Sequence, residues 1–429
     1  MRRLLTAFAS LLVLLAFAQP AAGNHTLPDD CAFNPVPTTY EAMSDRAPYL
    51  IGAELAAYNM IKPNDSYFGT ATVEAGRRGN RSIMDDPYIP PRLLKAIGYV
   101  ESNTAQADHS VYWGSTGPVK VSFDCGHGIM QVTSGMVNPT ENGRPSKEQS
   151  LVTTHYLFNI ARGAAILVDK WNAAPEVRPV VGNGDPRVVE SWYYAVWGYN
   201  GFASVNNPLY PGFPSYPRTP FSCGPSNDGL GHNRGNYPYQ ELVYGCIAHP
   251  PRVGSARLWP ALNVSLPNLN NANVRNAIAN FPNASQMDIP TPSPSHVDNT
   301  AKPPAIVRGV LLGSPALRVN RTSISGTVNN VTISNPGGGI LAWRVRPQQS
   351  WTFVNKQAGV ALGAGVPCTP GYRCDRSTTL TISVNTATAP SAGQGQVIVE
   401  NLITGGSTSI TVQRGTWPYQ IGVPGTLRR

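Results

Sequence analysis

The sequence predicts a mixed α+β protein in which helices surround a small β-hairpin and an all-β sandwich follows. Three observations predict this fold. Apolar residues recur at helical spacing in several stretches before Phe281. Beyond residue 304 they fall instead in short runs separated by Gly, Pro, Asn and Ser. Between the two parts, the proline-rich residues 287–304 are typical of a semi-rigid spacer.

The N-terminal residues predict export. Arg2 and Arg3 precede an apolar run over residues 4–17 and then small residues, as in a secretory signal peptide covering residues 1–23. We expect a helical domain with insertions over 24–282, a linker over 283–304, a sandwich over 305–415 and a tail over 416–429. No later run approaches the roughly 20 apolar residues of a membrane span. A secreted protein, extracellular or in the cell envelope, is therefore expected.

The first helix of interest begins at Pro90 and Pro91, since proline is favoured in the first turn of a helix. Leu94, Ile97 and Glu101 then share one stripe, so an acidic residue occupies a position where an apolar one is expected. We expect a second helix over residues 151–171. Its predicted buried face contains Ile160, Ala164, Leu167 and Trp171, and Gly163 beside them permits close packing.

A third helix is predicted with Asp185 as its N-cap and Pro186 in its first turn. Its buried side would carry Val189, Trp192 and Val196, and it would end near Gly198. Between the first two helices, residues 111–113 and 119–123 predict a hairpin whose turn is 114–117. In the last part we expect strands at 328–333, 340–345, 380–384, 396–399 and 409–412, and no substantial helix.

Glu101 is the chemically informative residue of the first helix. Apolar neighbours disfavour the charged form of a carboxyl group and raise its pKa. A carboxylic acid that keeps its proton near neutral pH can donate it to the leaving oxygen of a glycosidic bond. One acidic residue by itself is weak evidence, because a surface or capping role is far more common.

Four segments strengthen the interpretation by their order: Val-Glu-Ser-Asn at 100–103, Gly-His-Gly-Ile-Met-Gln at 126–131, Asn-Ile-Ala-Arg-Gly at 159–163 and Tyr-Asn-Gly at 199–201. This series resembles the motifs of the SLT lytic transglycosylase domain, a member of the lysozyme-like superfamily that includes goose-type lysozyme. The resemblance covers roughly residues 86–200. It implies a mainly helical, lysozyme-like catalytic domain.

The resemblance also assigns roles. Glu101 would be the catalytic acid and then the base of a peptidoglycan lytic transglycosylase, and Tyr199 would orient its carboxyl group. The residues implied in substrate binding are Ser102, Gly128, Ile129, Met130, Gln131 and Asn200. The bond cleaved would join N-acetylmuramic acid to N-acetylglucosamine, and closure of a 1,6-anhydro ring would require neither water nor a second carboxylate. No metal or organic cofactor is implied.

Several alternatives stay open. A lysozyme-type hydrolase would need a second carboxylate roughly 6.5–9.5 Å away to activate water, and Asp108 and Asp124 are the nearest in sequence. A thiol peptidase or amidase, suggested by Cys125 and His127, would need a free Cys125 thiolate beside a histidine brought from elsewhere in the fold. A non-catalytic wall-binding protein is a third possibility. The stretch 207–246 has no counterpart in the family pattern; we expect a covering loop, although Tyr210, Tyr216 and Tyr237 in it suit stacking on sugars.

Charge and cysteine content agree with an exported wall protein. The net charge of +9 suits a polyanion, but Lys and Arg are scattered, so we expect mild adhesion to walls and no nucleic-acid binding. Six cysteines in an oxidising compartment favour disulfides over metal ligands. Proximity pairs Cys368 with Cys374 and Cys223 with Cys246, which leaves Cys31 for Cys125.

The predicted sandwich resembles a BACON-type or other immunoglobulin-like domain through residues 335–343 and the tryptophans Trp343 and Trp351. This resemblance implies adhesion or binding of other wall polysaccharides. Tryptophans in strands are usually packed, so we expect both of them to fill the core.

Overall fold

The computed structural model describes residues 31–77, 79–84, 88–173, 180–279, 288–289 and 292–414. The predicted signal peptide and the predicted C-terminal tail lie outside these residues. Within them the chain combines helices with several β-sheets, which confirms the mixed α+β class. The helices belong mainly to the first two thirds and the long strands to the last third.

The helices of the described chain are α1 (Ala47–Ala57), α2 (Pro91–Ser102), α3 (Lys147–Thr154), α4 (Tyr156–Trp171), α5 (Tyr193–Tyr199), α6 (Tyr239–Ala248), α7 (Ala272–Ala279) and α8 (Ala305–Leu312). The short strands among them are β1 (Thr38–Tyr40), β2 (Glu74–Arg77), β3 (Asn80–Ile83), β4 (Thr116–Pro118), β5 (Val180–Val181), β6 (Arg252–Val253), β7 (Ala256–Arg257) and β8 (Asp288–Ile289). They pair as β1–β4, β2–β3, β5–β8 and β6–β7.

Two larger sheets form the last part. Their strands are β9 (Arg318–Val319), β10 (Ser323–Ser325), β11 (Val328–Ser334), β12 (Ile340–Pro347), β13 (Thr352–Val354), β14 (Ala358–Leu362), β15 (Ser377–Val384), β16 (Gly393–Asn401) and β17 (Ser407–Arg414). One sheet has the order β10-β17-β16-β12-β14 and the other β13-β15-β11-β9. Side chains of both sheets share one apolar core, which contains Trp343 and Trp351 as expected.

Helix α2 agrees with its sequence prediction. Pro91 opens it, and Leu94 and Ile97 are fully buried. The helix ends where Asn103 takes the left-handed conformation, with φ 62°, and its backbone N–H donates to the carbonyl of Tyr99. Glu101 therefore lies in the last turn of α2.

The predicted helix over 151–171 is wrong at its start, because two helices occupy this region. Ser146 and Gln149 form a reciprocal capping box at the beginning of α3. His155 then adopts extended backbone angles, and its Nδ1 accepts a hydrogen bond from the N–H of Leu157, which starts α4. A local side-chain bond thus replaces the helical one, and the two axes bend by 111°.

The buried face predicted for this region is present on α4. Ile160, Ala164, Leu167 and Trp171 are all buried. A Cβ added to Gly163 would lie 2.6 Å from Cβ and Cγ of Met130, so the glycine permits close packing, as expected.

The predicted hairpin is also wrong. Residues 111–113 do not form a strand, and the strand partner of β4 is β1, near the start of the described chain. Asp108 explains the difference, because its carboxylate accepts hydrogen bonds from the backbone and the hydroxyl of Ser110 and turns the chain there. Tyr112 stacks on Tyr372 of the last part, at 3.8 Å between ring centroids.

The third helix begins later than predicted. Asp185 accepts from the N–H of Arg187 in a turn, a short 3₁₀ segment covers Val189–Trp192, and α5 follows. The three residues expected on the buried side, Val189, Trp192 and Val196, are fully buried. In the last part, the five predicted strands are present as β11, β12, β15, β16 and β17. The expectation of no helix there is wrong, because α8 covers eight residues and Arg308 Nε donates to the carbonyl of Ile61 at 2.7 Å.

The described residues of the proline-rich stretch make tertiary contacts with the helical part. Asp298 is buried, accepts from the backbone N–H of Arg92 at 2.8 Å and pairs with its guanidinium at 2.5 Å. His296 Nδ1 lies 2.7 Å from the buried carboxylate of Glu190. These residues are therefore fixed to the surface of the helical part.

The two parts of the protein share an apolar core. Buried side chains from the last part join the core of the helices: Leu312, Ile340, Ala342, Ala358, Val360, Leu362 and Leu402. Strand β1 lies at this junction, where the hydroxyl of Thr38 accepts from the N–H of Val360 at 3.4 Å. Arg344 of β12 is buried and pairs with Glu141 of the helical part and Glu400 of β16, both at 2.5 Å.

The three predicted disulfides are confirmed, namely Cys31–Cys125, Cys223–Cys246 and Cys368–Cys374. Within the described ranges, no single helix is both long and apolar enough to cross a membrane; α3 and α4 satisfy the criterion only when the bent pair is counted together.

Candidate functional site

Glu101 lies at the C-terminal end of α2, and its side chain is partly exposed. The body of the helix beneath it is buried, so the backbone that carries the carboxyl group is rigidly held. A partly exposed acid at the end of a buried helix can reach a ligand in solution while most of its surroundings exclude water.

Tyr239 is the direct partner of this carboxyl group. Its phenol O–H donates a hydrogen bond to Oε1 of Glu101. Tyr239 is the first residue of α6 and is buried, and its backbone N–H donates to Oδ1 of Asn206 at 3.3 Å. One carboxylate oxygen is thus oriented by a fixed donor.

The surroundings of Glu101 raise the pKa of its carboxyl group to about 7. Burial is the largest cause, because it disfavours the charged form, and the negative charge of Asp124 acts in the same direction. The hydrogen bond from Tyr239 and the positive charge of Arg234 act in the opposite direction. A substantial fraction of Glu101 is therefore protonated at neutral pH and can act as an acid.

Tyr199 does not have the predicted role. Its phenol donates to the carbonyl of Met130 at 2.7 Å rather than to Glu101. Burial raises the pKa of Tyr199 well above its usual value. The negative charge of Glu101 acts in the same direction, because it disfavours the ionised phenol. Tyr199 therefore fixes the turn beside Glu101, whereas Tyr239 bonds the carboxyl group.

The turn over residues 128–131 is built from beneath by two fully buried amides. Asn159 Oδ1 accepts from the N–H of Met130 at 2.8 Å, and Gln106 Oε1 accepts from the N–H of Ile129 at 3.2 Å. Gly128 has φ +69°, and an added Cβ would lie 2.5 Å from Asn159 Nδ2. The turn accordingly requires glycine here.

Burial separates the predicted substrate-binding residues into two groups. Ile129 and Met130 are buried, and the hydroxyl of buried Ser102 donates to the carbonyl of Gly98 and accepts from the N–H of Ala105. Because these three side chains are buried, they cannot make the sugar contacts that were predicted for them. They support the site from below.

Gln131 and Asn200 are the members of the predicted set whose side chains reach the surface. Gln131 is partly exposed, and its Nε2 donates to the carbonyl of Gly128 at 2.7 Å. Asn200 is exposed, and its Oδ1 accepts from Asn206. Among the described residues, no donor to Oε1 of Gln131 is observed, so this oxygen can accept from a ligand.

The two candidate second carboxylates differ. Asp124 is exposed, and its charge acts on Glu101. Asp108 accepts hydrogen bonds from Ser110 and lies beside His109. Burial raises the pKa of the Asp108 carboxyl group, but the bonds from Ser110 and the charge of His109 lower it by more. Only Asp124 among the two is electrostatically coupled to Glu101.

The thiol-peptidase alternative conflicts with the structure. Cys125 is bonded to Cys31, and no free cysteine occurs among the described residues. His127 is buried, its Nδ1 lies 2.6 Å from the carbonyl of Cys125, and burial lowers its pKa to about 4. Neither a thiolate nor an accessible imidazole is present there.

Comparison of the sequence with protein-family models and with curated proteins gives no match. Solved structures with partial likeness include a Bacteroides ovatus GH5 xyloglucanase in complex with a XXXG heptasaccharide (13% identity, 23% of this chain and 18% of that chain, TM-score 0.17). The E. coli chaperone DraB has 11% identity over 23% of this chain and 53% of that chain, with a TM-score of 0.18. The Pseudomonas aeruginosa CupB2 chaperone has 9% identity over 26% of this chain and 62% of that chain, with a TM-score of 0.18. This chain thus spans less than two thirds of each of them.

Sequence reasoning missed Tyr239 and Arg234, the two groups that most directly adjust Glu101. Both lie in the stretch 207–246, which was expected to be a covering loop, with stacking of its tyrosines on sugars as the alternative. Pro238 before Tyr239, with Glu241 in the first turn, is a helix-start pattern that could have indicated α6. This local pattern does not indicate that α6 begins beside α2.

Proposed function

We propose that this protein cleaves the glycan strands of peptidoglycan, with Glu101 as the general acid, in a mainly helical lysozyme-like domain followed by a β-sandwich. The observation that carries the proposal is the pairing of a partly exposed carboxyl group, whose pKa is raised to about 7, with a fixed phenol donor at a helix end. The order of the four sequence motifs around it supports the same chemistry.

In the proposed reaction, Glu101 donates its proton to the oxygen between N-acetylmuramic acid and N-acetylglucosamine, and the bond from the muramyl C1 to that oxygen breaks. The resulting carboxylate, which accepts from Tyr239, then takes the proton of the muramyl 6-hydroxyl. The 6-oxygen bonds to C1, which closes the 1,6-anhydro ring and returns Glu101 to its protonated state. No water is consumed.

Asp124 supports hydrolysis as a second candidate function. Asp124 is an exposed carboxylate whose charge acts on Glu101. In this alternative it would activate a water molecule, which would add to C1 in place of the 6-hydroxyl. The products would carry reducing ends. Asp108 is a poorer candidate, because its Oδ1 accepts both hydrogen bonds from Ser110 and its Oδ2 lies 3.3 Å from Nδ1 of His109.

The proposal is tested by digestion of purified peptidoglycan with wild-type protein and with Glu101→Gln. The substitution keeps the shape of the side chain and removes its acidity, so turnover should fall by about 10³-fold or more. Asp169→Asn, which neutralises an exposed carboxylate on α4, is the matched control and should keep wild-type turnover. Mass spectrometry distinguishes anhydro ends from reducing ends.

Equal turnover by Glu101→Gln and wild-type protein would refute the enzymatic proposal, and binding to walls without cleavage would favour a non-catalytic wall-binding protein. The three disulfides agree with an oxidising location, so we also propose that the protein is secreted into the extracellular space or envelope. The proposed partners are peptidoglycan strands and, through the last part, other wall polysaccharides.

A further inference from the structure

Arg234 reaches the end of α2 from a separate and well-defined loop. It begins the short 3₁₀ segment Arg234–Asn236, in which Asn233 Oδ1 accepts from the N–H of Gly235 at 3.1 Å. The next residue, Tyr237, is buried, and its phenol donates to the carbonyl of Thr219 at 2.7 Å. The loop that presents Arg234 is therefore fixed on both sides.

The guanidinium of Arg234 donates a hydrogen bond to the carbonyl of Val100, the residue before Glu101. Carbonyls in the last turn of a helix lack helical partners, so this bond alone is an ordinary C-terminal cap. A guanidinium has five N–H donors in a planar fork, however, and Arg234 is an exposed residue. Its remaining donors are accessible to a ligand.

Within the part of the chain that the structure describes, Arg234 is the cation whose charge acts on the Glu101 carboxyl group. The other groups that interact with Glu101 are the phenols of Tyr239 and Tyr199 and the carboxylate of Asp124. Arg234 stabilises negative charge on Glu101 and on Tyr239. A ligand approaching the acid thus meets an exposed, planar donor group whose geometry matches a carboxylate.

We propose that Arg234 is a specificity-determining residue that binds a carboxylate of the substrate beside the bond to be cleaved, so that the site prefers acidic glycan strands over neutral ones. This inference rests on the proposed function. It gives the stretch 207–246 a role in substrate selection, through Arg234, in addition to the orienting role of Tyr239.

Binding to the Glu101→Gln protein tests the inference without requiring turnover. The probes are soluble peptidoglycan fragments with free carboxylates and the same fragments after conversion of those carboxylates to amides, titrated calorimetrically. The acid form should bind about fivefold more tightly than the amide form, as expected for an exposed ion pair with good geometry. Adding Arg234→Gln should abolish this preference, and Arg234→Lys should retain part of it.

Arg252→Gln is the matched control, because Arg252 is also exposed and also donates to a backbone carbonyl, that of Ser255 at 2.7 Å. It should leave the preference unchanged. If Arg234→Gln weakened the binding of the acid and amide fragments equally, Arg234 would have only a capping role and the inference would be overturned. An unaltered preference, or displacement of the acid form by equimolar inorganic phosphate, would also overturn it. If Glu101→Gln still cleaves peptidoglycan, the proposed function fails, whereas the carboxylate preference is measured independently.

Discussion

Tyr239 and Glu101 lie 138 positions apart in the sequence, yet the phenol of one donates directly to the carboxyl group of the other. The bond joins the first residue of α6 to the last turn of α2. Cys246, near the other end of α6, is fixed by its disulfide to Cys223. The protonation state of the proposed acid therefore depends on how this disulfide-closed stretch is folded.

Replacing Tyr239 by Phe should move the pH dependence of turnover upward. The hydrogen bond from Tyr239 lowers the pKa of Glu101, so its loss should raise that pKa above about 7. A reaction that needs protonated Glu101 loses rate as the pH rises through this pKa. The alkaline limb of kcat/KM should accordingly lie at higher pH in the variant, and the rate at low pH should fall about tenfold from poorer orientation.

Tyr210→Phe provides the control, since Tyr210 is exposed and lies in the same stretch. Its pH profile should coincide with that of the wild type. An alkaline limb at lower pH in Tyr239→Phe would contradict the assigned direction of the Tyr239 effect.

Glu41→Gln should make stability less dependent on pH. Glu41 is buried, and burial raises the pKa of its carboxyl group to about 8, although its Oε2 accepts from the N–H of Ala107 at 2.7 Å. The folded protein therefore holds this proton more tightly than the unfolded chain, and the free energy of unfolding falls as the pH rises from about 4.5 to about 8. The variant lacks this contribution.

Urea denaturation at pH 5 and pH 8 measures the effect. The loss of stability between the two pH values should be smaller in Glu41→Gln than in wild-type protein by at least about 1 kcal/mol. Glu101 contributes a fall of the same sign below about pH 7, and the lowered pKa values of His127 and His155 contribute a rise, but all three are common to both proteins. Glu148→Gln, at a partly exposed position of α3, should behave like the wild type. A parallel decline in all three proteins would count against the buried-acid interpretation.

Gly163→Ala should destabilise the protein by about 1–3 kcal/mol, because the new methyl group would overlap Met130 below the site. The gain in helix propensity offsets only about 1 kcal/mol of this. Gly309→Ala is a matched control within another helix, α8, where an added Cβ meets nothing within 4 Å. It should stabilise by up to about 1 kcal/mol, and thermal melts that ranked the two substitutions in the reverse order would contradict the packing argument.

Removing all residues after Pro304 should unfold the remaining chain rather than release an active helical part. The truncation exposes the apolar surface that the last part covers, including the contacts of Val360 and Leu362. Calorimetry of the full chain should show one unfolding transition. A folded, active fragment of 304 residues would be the contrary outcome.

A milder substitution tests the same shared core. Val360→Ala removes fully buried methyl groups at the junction and should cost about 2 kcal/mol. Val328→Ala, at an exposed position of β11, should cost much less. Similar losses for both would indicate that the junction contributes little to stability.

Local patterns predicted the elements that carry the site. The start of α2 followed from Pro91, and the buried faces of α4 and α5 followed from periodicity, because each depends on residues within a few turns of one another. The same holds for the long strands of the last part. The disulfide partners were also predictable, since two of the three pairs are close in sequence.

The remainder depends on long-range contacts. Tyr239 reaches Glu101 only because α6 packs against α2, and β4 pairs with β1 instead of forming a hairpin because Asp108 turns the intervening chain. His155 breaks a helix through a side-chain bond to the backbone that periodicity does not register. The sequence therefore predicted the acid but not the phenol and the guanidinium that adjust it.

The position of β1 has a consequence for how this protein is assembled. Thr38 contacts Val360 while Thr39 pairs with Gly117, so residues from near the beginning and near the end of the described chain meet beside the stretch that leads to Asp124. A polypeptide that stops before β14 lacks one side of this junction, and one cut after β1 loses the other. If the proposed function holds, we therefore expect cleavage to appear only once the final strands have been made and folded, so that incomplete copies would be inactive.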